Sequence, residues 1–315
     1  MSLTVLRTAD HWWVQTADGA ARIDTAAVTT RQLLEDLESV EAAVRSGAPV
    51  DPGDLDLLAP VTTPCRVVAQ MTNFVSHVRD AGLDPATVPL TFFRKASGSI
   101  SGPYDDVVRP AHVQCLDYEV EIGLVLGREL PVGTEVTADN WSSFVAGLVV
   151  TNDVSARDVQ LPKTQFYESK SYPSFTPTGP ALVLLTDEEL ERFGELRLRL
   201  WVNGELRQDA VVDGDLVYAP WEALRALSRF QRLDPGDLLL TGTPVGTALS
   251  APPRPVELLA SLLPTALKWK LFFQRQARNP KYLKAGDVVE AHVGTADGAV
   301  DLGRQRTVVR VGRRP

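Results

Sequence analysis

Short apolar segments with alternating polar positions dominate the chain from Pro64 onward. Side chains at positions i, i+2 and i+4 of a strand share one face, so this alternation predicts β-strands. Gly, Pro and Asp residues separate the segments, as turns require. The predicted strands lie in CRVVAQM, LTFFRK, EVEIGLVLG, FVAGLVVTND, GPALVLL, LRLRLWVNG, DLLLTGTP, DVVEAHVG and RTVVRV. Helical periods are few, at about residues 72–82, 187–193 and 219–230, so we predict an α+β protein that is mostly β.

A different pattern occupies residues 1–62, which we predict to form a small, separate N-terminal α/β domain. Turns near Asp10 and at Asp18-Gly19 predict a hairpin or short meander. The segment TTRQLLEDLESVEAAVRSG predicts a short helix that stops at Gly47, and the Pro-rich APVDPGDLDLLAPVTTP predicts a linker. Residues 63–315 would then form the second, larger domain.

Three acidic residues interrupt the apolar strand CLDYEVEIGLVLG, residues 115–127. Asp117, Glu119 and Glu121 occupy alternate positions and are therefore expected on one face. Adjacent carboxylates repel one another, and burial of an unpaired carboxylate is costly. Either the acids lie hydrated on an exposed strand edge, or a divalent cation binds them.

The next apolar strand, within SSFVAGLVVTNDVSARD, ends in Asn152-Asp153. Glu119, Glu121 and Asp153 would offer three carboxylates from neighbouring strands. Such hard oxygen ligands suit Mg²⁺, Mn²⁺ or Ca²⁺ and suit Zn²⁺ poorly. The E-x-E spacing is a weak signal by itself, because acidic pairs of this spacing also occur on hydrated strands.

A candidate general base lies upstream, in AQMTNFVSHVRDAG. If residues 72–82 are helical, His77 and Asp80 are i, i+3 neighbours and can touch. A carboxylate raises the pKa of an adjacent histidine and orients its ring, which suits a base that acts on water. The alternative is a surface His-Asp pair without a catalytic role. GxSxG, GxGxxG and P-loop motifs are absent, which argues against serine hydrolases and nucleotide binding.

The segment between Leu258 and Gly286 contains no acidic residue. Its basic residues, interleaved with Trp269, Phe272 and Phe273, are Lys268, Lys270, Arg275, Arg278, Lys281 and Lys284. We interpret it as a helical excursion that packs on the body of the protein or on a second subunit and exposes a basic face. A lid or an anion-binding patch and binding to a membrane surface are the alternatives.

The composition limits the kinds of molecule that we expect the protein to bind and the cellular compartment in which we expect it. The net charge of −8 argues against nucleic acid and anionic membranes as partners. The two cysteines, Cys65 and Cys115, show neither CxxC spacing nor a disulfide framework, so we expect a reducing, cytoplasmic setting. We also expect no signal peptide and no transmembrane span, because no apolar run is long enough.

Five motifs occur in one order along the chain: LDYEVEIGLVLG, TNDVSARDVQ, KSYPSFTPTGP, GDLLLTGTPVGT and LKAGDVVEAHV. Together they resemble the fumarylacetoacetate hydrolase family of divalent-metal enzymes. The resemblance covers about residues 64–247 and resumes at 282–310, which makes residues 248–281 an insertion. It implies a mixed β-roll catalytic domain, usually a homodimer, with the metal ion in the mouth of the roll.

The resemblance also implies roles for individual residues. The metal ligands would be Glu119, Glu121 and Asp153. The catalytic residues would be Lys170 and a dyad of His77 and Asp80 on a short lid helix. Arg157, Gln160 and Thr243 would bind substrate.

The reaction implied is hydrolysis of a carbon–carbon bond in a β-diketo acid such as an acylpyruvate, with Mg²⁺ or Mn²⁺, or else Ca²⁺, as the cofactor. Three departures from the family pattern surround the substrate pocket: Asp80 where glutamate is common, Pro173-Ser174 where Asp-Thr is usual, and AQMTNF where a glycine commonly precedes the asparagine. The alternatives are a 2-keto acid decarboxylase, hydratase or isomerase of the same family, and a non-catalytic protein that binds a small keto acid.

Overall fold

The computed structural model describes residues 2–163, 166–249 and 263–312. Its strands, numbered in chain order, are β1 Leu3–Arg7, β2 Trp12–Thr16, β3 Gly19–Arg22, β4 Pro49–Val50, β5 Val67–Gln70, β6 Phe92–Lys95, β7 Ile100–Ser101, β8 Val107–Arg109, β9 Leu116–Asp117, β10 Val120–Leu126, β11 Val145–Asn152, β12 Ser155–Ala156, β13 Thr176–Pro177, β14 Leu182–Leu184, β15 Arg197–Val202, β16 Glu205–Val211, β17 Leu238–Leu240, β18 Val288–Gly294 and β19 Asp301–Val311. Its α-helices are α1 Thr30–Leu34, α2 Leu37–Ser46, α3 Val75–Asp80, α4 Arg157–Lys163, α5 Asp187–Glu191, α6 Pro220–Ser228 and α7 Thr265–Gln276. The predicted mostly β, α+β architecture is confirmed.

Ten strands form the larger sheet, in the spatial order β4, β3, β2, β1, β14, β11, β10, β17, β5 and β6. Neighbouring strands run antiparallel except β17 and β5, which are parallel. The central strand β10 is buried along its whole length, and β11 nearly so. Burial on both faces explains why these two strands read as almost continuous apolar runs.

A second sheet has the order β16, β15, β18, β19 and β8. Its strands alternate between buried apolar and more exposed polar residues, as expected when one face covers a core. Gln305 on β19 reaches the larger sheet, where its Nε2 donates to the carbonyl oxygen of Val150 on β11 at 2.9 Å, and it also donates to those of Pro177 and Gly179 at 3.0 Å. Val150 of β11 and Leu200 of β15 belong to one buried apolar cluster, so a shared apolar core lies between the two sheets.

The N-terminal segment continues the larger sheet. Strand β1 pairs with β14, with Leu3 opposite Leu184. Val5 from this segment belongs to the same buried apolar cluster as Val67 and Val125. The predicted boundary at residue 62 is therefore not marked by any break in the sheet or the core, and independent folding of residues 1–62 stays a prediction.

The predicted insertion, residues 248–281, falls partly outside the described residues, which omit 250–262. The described part contains α7, in agreement with the predicted helical excursion, and Phe273 of α7 packs against the main core. Asn279 Nδ2 donates to the carbonyl oxygen of Ala248 at 2.8 Å. The two described ends of the segment therefore meet. Among the described helices, none is long and apolar enough to cross a bilayer.

Candidate metal centre and active site

The acidic stretch forms two strands, β9 and β10, and the prediction of one continuous strand is wrong at Tyr118 and Glu119. β9 leaves the larger sheet and pairs with β12 instead. Asp117 therefore binds a different set of groups from Glu119 and Glu121. Its Oδ2 accepts from Arg157 Nε at 2.8 Å.

Glu119, Glu121 and Asp153 form a buried cluster in which one carboxylate oxygen of each lies within 4.8 Å of the others. The antiparallel register of β10 and β11 places Glu121 opposite Thr151, so Asp153 follows directly at the end of β11. Asp153 N also donates to the carbonyl oxygen of Glu119 at 2.8 Å. The predicted convergence of these three acids is what the structure shows.

Three buried cations surround the cluster. Lys170 Nζ donates to Glu119 Oε2 at 2.6 Å and to Asp153 Oδ2 at 2.5 Å. Lys95 Nζ forms an ion pair with Asp153, and an Nη of Arg157 forms one with Glu119. These ion pairs offset much of the free energy that burial of the acids costs, because each carboxylate that a cation contacts is charge-paired.

Glu121 differs from the other acids, since no ion pair reaches it within the described parts of the chain. Its Oε2 accepts a hydrogen bond from Gly242 N at 2.8 Å. Burial, together with the charges of Asp153 and Glu119, raises the pKa of Glu121 well above its ordinary range. Burial acts in the same direction on Glu119, but Arg157 and Lys170 outweigh it and hold the pKa of Glu119 well below its usual value.

The donor set fits a divalent cation. Among the described residues, four buried carboxylates, those of Asp117, Glu119, Glu121 and Asp153, have only three buried cationic partners, and Glu121 is the carboxyl group without one. A dication bound between the three clustered carboxyl groups would supply that missing partner. All three candidate ligands are hard oxygen donors, as Mg²⁺, Mn²⁺ and Ca²⁺ prefer. The site can therefore hold such an ion through Glu119, Glu121 and Asp153.

Arg157 and Gln160, predicted to bind substrate, are buried and engaged with protein groups. Arg157 donates to Gln160 Oε1 at 2.9 Å in addition to its contacts with Asp117 and Glu119. The planar guanidinium fork thus fixes one side of the Glu119 carboxylate. A direct contact of either residue with substrate stays a prediction.

Thr243 lies in the turn after β17, and its hydroxyl is also engaged. It donates a hydrogen bond to the carbonyl oxygen of Val120 at 2.9 Å and accepts one from Gln208 Nε2 at 2.9 Å. The preceding Gly242 has φ +89°, and a Cβ there would lie 2.9 Å from Asn73 Cβ. The turn therefore requires glycine, and it holds the N–H that binds Glu121. A substrate contact of Thr243 stays a prediction.

His77 lies on α3, inside the predicted helix, but the predicted contact with Asp80 is absent. No hydrogen bond or ion pair joins the two side chains, and His77 Nδ1 is buried without a hydrogen-bond partner. The imidazole lies instead in the field of Glu119, Arg157 and Lys170. Burial lowers the pKa of His77, with Glu119 opposing and the two cations adding to the effect, so the ring is neutral at neutral pH.

Asp215 anchors the helix that carries His77. Its carboxylate accepts from Ser76 N at 2.7 Å and Ser76 Oγ at 2.6 Å, and its carbonyl oxygen accepts from Val75 N at 2.6 Å. Val245 N, from the turn that contains Gly242, donates to Ser76 Oγ at 3.2 Å. The start of α3 is therefore tied to the turn that binds Glu121.

Sequence reasoning missed Lys95, Gln208 and Asp215. Lys95 ends the apolar segment LTFFRK and is buried in the structure. A lysine at the end of an apolar strand is a usable sequence signal, because a buried lysine needs an acidic partner. Gln208 and Asp215 lie in polar stretches that carry no comparable signal. Their contacts come from chain segments that are distant in sequence.

Comparison with known proteins identifies the family. A family model described as fumarylacetoacetate (FAA) hydrolase C-terminal matches residues 66–310. The chain belongs to the fumarylacetoacetate hydrolase family. The resemblance predicted from the five motifs is thereby confirmed.

Relatives within the fumarylacetoacetate hydrolase family carry different reaction names. The mitochondrial oxaloacetate tautomerase FAHD2B of Bos taurus is 34% identical over 256 residues, which cover 77% of this chain and 79% of that protein. The 2,4-didehydro-3-deoxy-L-rhamnonate hydrolase of Sphingomonas sp. (strain SKA58) is 32% identical over 294 residues, 93% of this chain and 90% of that protein. The crystal structure of a probable 2-hydroxyhepta-2,4-diene-1,7-dioate isomerase from Mycobacterium abscessus matches with a TM-score of 0.75 and 29% identity, covering 99% of this chain and 100% of that one.

Proposed function

We propose that the protein is a divalent-metal-dependent hydrolase that cleaves a carbon–carbon bond in a 2,4-diketo acid. The observation that carries this proposal is a buried three-carboxylate cluster with His77 close enough to interact with Glu119, its ring nitrogen Nδ1 without a hydrogen-bond partner. The products would be a 2-keto acid such as pyruvate and a carboxylic acid, with one water consumed. The name of the Sphingomonas relative describes a substrate oxidised at positions 2 and 4, which supports this class.

Glu119, Glu121 and Asp153 would hold Mg²⁺ or Mn²⁺, with Ca²⁺ as the third candidate. A bound cation of this kind supplies Lewis-acid polarisation of keto and carboxylate oxygens. Because its three ligands are held by Arg157, Lys170 and the Gly242 N–H, the ligand geometry is largely preformed.

The proton-transfer step falls to His77. A neutral imidazole accepts a proton from water, and the hydroxide so formed adds to the C4 carbonyl. The C3–C4 bond then breaks, and the proton returns to C3, so that atoms and charge balance. General-base assistance of this kind typically contributes about 10²–10⁴-fold in rate.

Lys170 supplies a fixed positive charge beside this step. Burial lowers the pKa of Lys170, but Asp153 and Glu119 outweigh burial and raise it. The ammonium group therefore stays charged at neutral pH, where it can face the substrate carboxylate or the departing keto acid.

The test is loss of the enol-diketone ultraviolet absorbance of an acylpyruvate panel, with Mg²⁺ or Mn²⁺ and again with EDTA, and with the products identified. We expect metal-dependent formation of pyruvate and the matching carboxylic acid. Metal binding without turnover of any acylpyruvate would contradict the hydrolase proposal.

A second candidate is tautomerisation or decarboxylation of oxaloacetate. The position of His77 beside the acidic cluster supports this candidate as well, because a neutral imidazole can also move a proton to or from carbon. The Bos taurus relative carries the name of such a tautomerase. Enol-oxaloacetate absorbance, followed together with pyruvate release, separates the two reactions from each other.

A homodimer and a reducing, cytoplasmic setting complete the proposal. Size-exclusion chromatography with light scattering tests the first, and a mass near twice 34.3 kDa is expected. The small-molecule partner would be the keto acid itself.

A further inference from the structure

Asp117 is a fully buried carboxylate that the proposed reaction does not use. Its Oδ1 accepts from Tyr118 N at 2.9 Å and Ala248 N at 2.7 Å. Its Oδ2 accepts from Arg157 Nε at 2.8 Å and Leu249 N at 3.0 Å. An ionised carboxylate offers about four lone-pair sites, so these four donors saturate it.

On one side, Asp117 reaches the metal cluster through Arg157. The guanidinium group donates to Asp117 through Nε and pairs with Glu119 through an Nη. Because the guanidinium is planar and rigid, the position of Asp117 sets the direction from which Arg157 holds Glu119.

On the other side, Asp117 holds the base of the 248–281 segment. Ala248 and Leu249 bind it through their N–H groups, and Asn279 Nδ2 binds the carbonyl oxygen of Ala248 at 2.8 Å. Just beyond the segment, Leu283 N donates to the carbonyl oxygen of Leu116 at 2.9 Å. Both ends of the segment are therefore attached at β9.

We infer that Asp117 is a positioning residue that couples the base of the 248–281 segment to the metal ligand Glu119 through Arg157. The inference rests on the proposed metal centre. It gives the insertion a connection to the site through its described ends.

The direction of the effect follows from charge and geometry. Asp117→Asn removes one negative charge from the surroundings of the three candidate ligands, which weakens their attraction for a dication. Arg157, with one carboxylate partner lost, would pair more fully with Glu119 and compete with the metal ion for it. Both changes weaken metal binding, and loss of a group that supports a metal ligand typically costs about 10–100-fold in affinity.

The first experiment is calorimetric titration of Mn²⁺ into the metal-free full chain, for wild type, Asp117→Asn and Asp237→Asn. Asp237 is the matched control: it is 4% exposed and accepts from Arg66 N at 2.7 Å, an Arg66 Nη at 2.8 Å and Asp234 N at 2.8 Å. It lies at the opposite end of β10, where its carbonyl oxygen accepts from Leu126 N. We expect a Kd increase of about 10–100-fold for Asp117→Asn and an unchanged Kd for Asp237→Asn.

A second measurement needs no variant. Coupling is reciprocal, so Mn²⁺ should slow hydrogen exchange at the amides of Ala248 and Leu249 in the wild-type protein. Equal Mn²⁺ affinity in wild type and Asp117→Asn, or unchanged exchange at these amides on saturation, would overturn the inference. Failure of the hydrolase proposal is read separately, from turnover, and absence of Mn²⁺ binding in wild type would refute the metal centre together with this inference.

Discussion

Replacement of Glu121 by glutamine separates two effects of this carboxyl group: the stability that it costs the metal-free protein and the affinity that it gives for a metal ion. Glu121 is buried beside Glu119 and Asp153, and no described cation pairs with it. Glutamine has nearly the same shape and can still accept the hydrogen bond from Gly242 N. We expect Glu121→Gln to stabilise the metal-free protein at neutral pH while it removes most of the affinity for Mn²⁺.

The magnitude follows from the protonation of one carboxyl group. The ordinary pKa of Glu121 is 4.5, and in the folded protein it is raised well above this. Where the unfolded chain is ionised and the folded chain is protonated, folding must take up a proton. That costs about 1.36 kcal/mol for each pH unit above 4.5, or at most about 3.4 kcal/mol at pH 7.

The sign gives a pH window. Because the folded pKa lies above the unfolded one, the wild type loses stability as pH rises from 4.5 toward the folded pKa. Glu121→Gln lacks this dependence, so the two proteins should agree near pH 4.5 and diverge above it. For a chain of 315 residues, a difference of about 2 kcal/mol corresponds to a rise in Tm of about 3 °C.

The assay is urea unfolding and thermal melting of both proteins in EDTA, at pH 4.5, 6 and 7.5, with the pH 7.5 melts repeated in Mn²⁺. Mn²⁺ should raise the Tm of the wild type and leave that of the variant nearly unchanged. If the metal-free variant is no more stable than wild type at pH 7.5, the electrostatic account of Glu121 is wrong. If Mn²⁺ stabilises both proteins equally, Glu121 is not a metal ligand.

Three further predictions concern the histidine and the buried lysine. His77→Asn should lower kcat by about 10²–10⁴-fold at unchanged Mn²⁺ affinity, whereas Asp80→Asn should retain most of kcat. Equal losses of kcat in steady-state assays of the two variants would show that His77 and Asp80 act together as a catalytic dyad. Since burial lowers the pKa of His77, kcat/KM for an acylpyruvate should stay constant as pH falls from 8 to 6.5 and decline only below that, and a decline that begins above 6.5 would contradict the neutral base. Lys95→Met leaves Asp153 without one of its two cationic partners. The free energy of unfolding of the metal-free protein, measured in urea, should therefore fall by about 3–5 kcal/mol, and Mn²⁺ should restore part of it. An unchanged unfolding midpoint would show that the Lys95–Asp153 pair contributes nothing to stability.

The elements of the fold were largely predictable because their local patterns are strong. Strands β10 and β11 lie inside a sheet covered on both faces, and such strands are apolar along almost their whole length. Glu119 directly precedes β10 and Glu121 lies within it, and the antiparallel pairing of β10 with β11 brings Asp153 to both. The family motifs pointed to the same three residues.

Local sequence patterns did not predict the contacts between residues that are distant in the chain. Lys95 pairs with Asp153 across 58 residues, through a sheet in which β17 lies between β10 and β5. Asp117 leaves the acidic face because the chain changes sheets between β9 and β10. The spacing of His77 and Asp80 permits a contact, but the imidazole lies among charges contributed by distant parts of the chain.

The pairing of β1 with β14 has a consequence for synthesis of the chain. Leu3 finds its partner only at Leu184, so β1 stays unpaired on that edge until the chain has been made as far as Leu184. At about 5–20 residues per second, this interval lasts roughly 10–40 s. During it, apolar residues such as Val5 and Trp12 lack part of the core that later buries them, and an unpaired strand edge invites association with other chains. Strand β1 is therefore one place where a nascent chain of this protein would benefit from a chaperone.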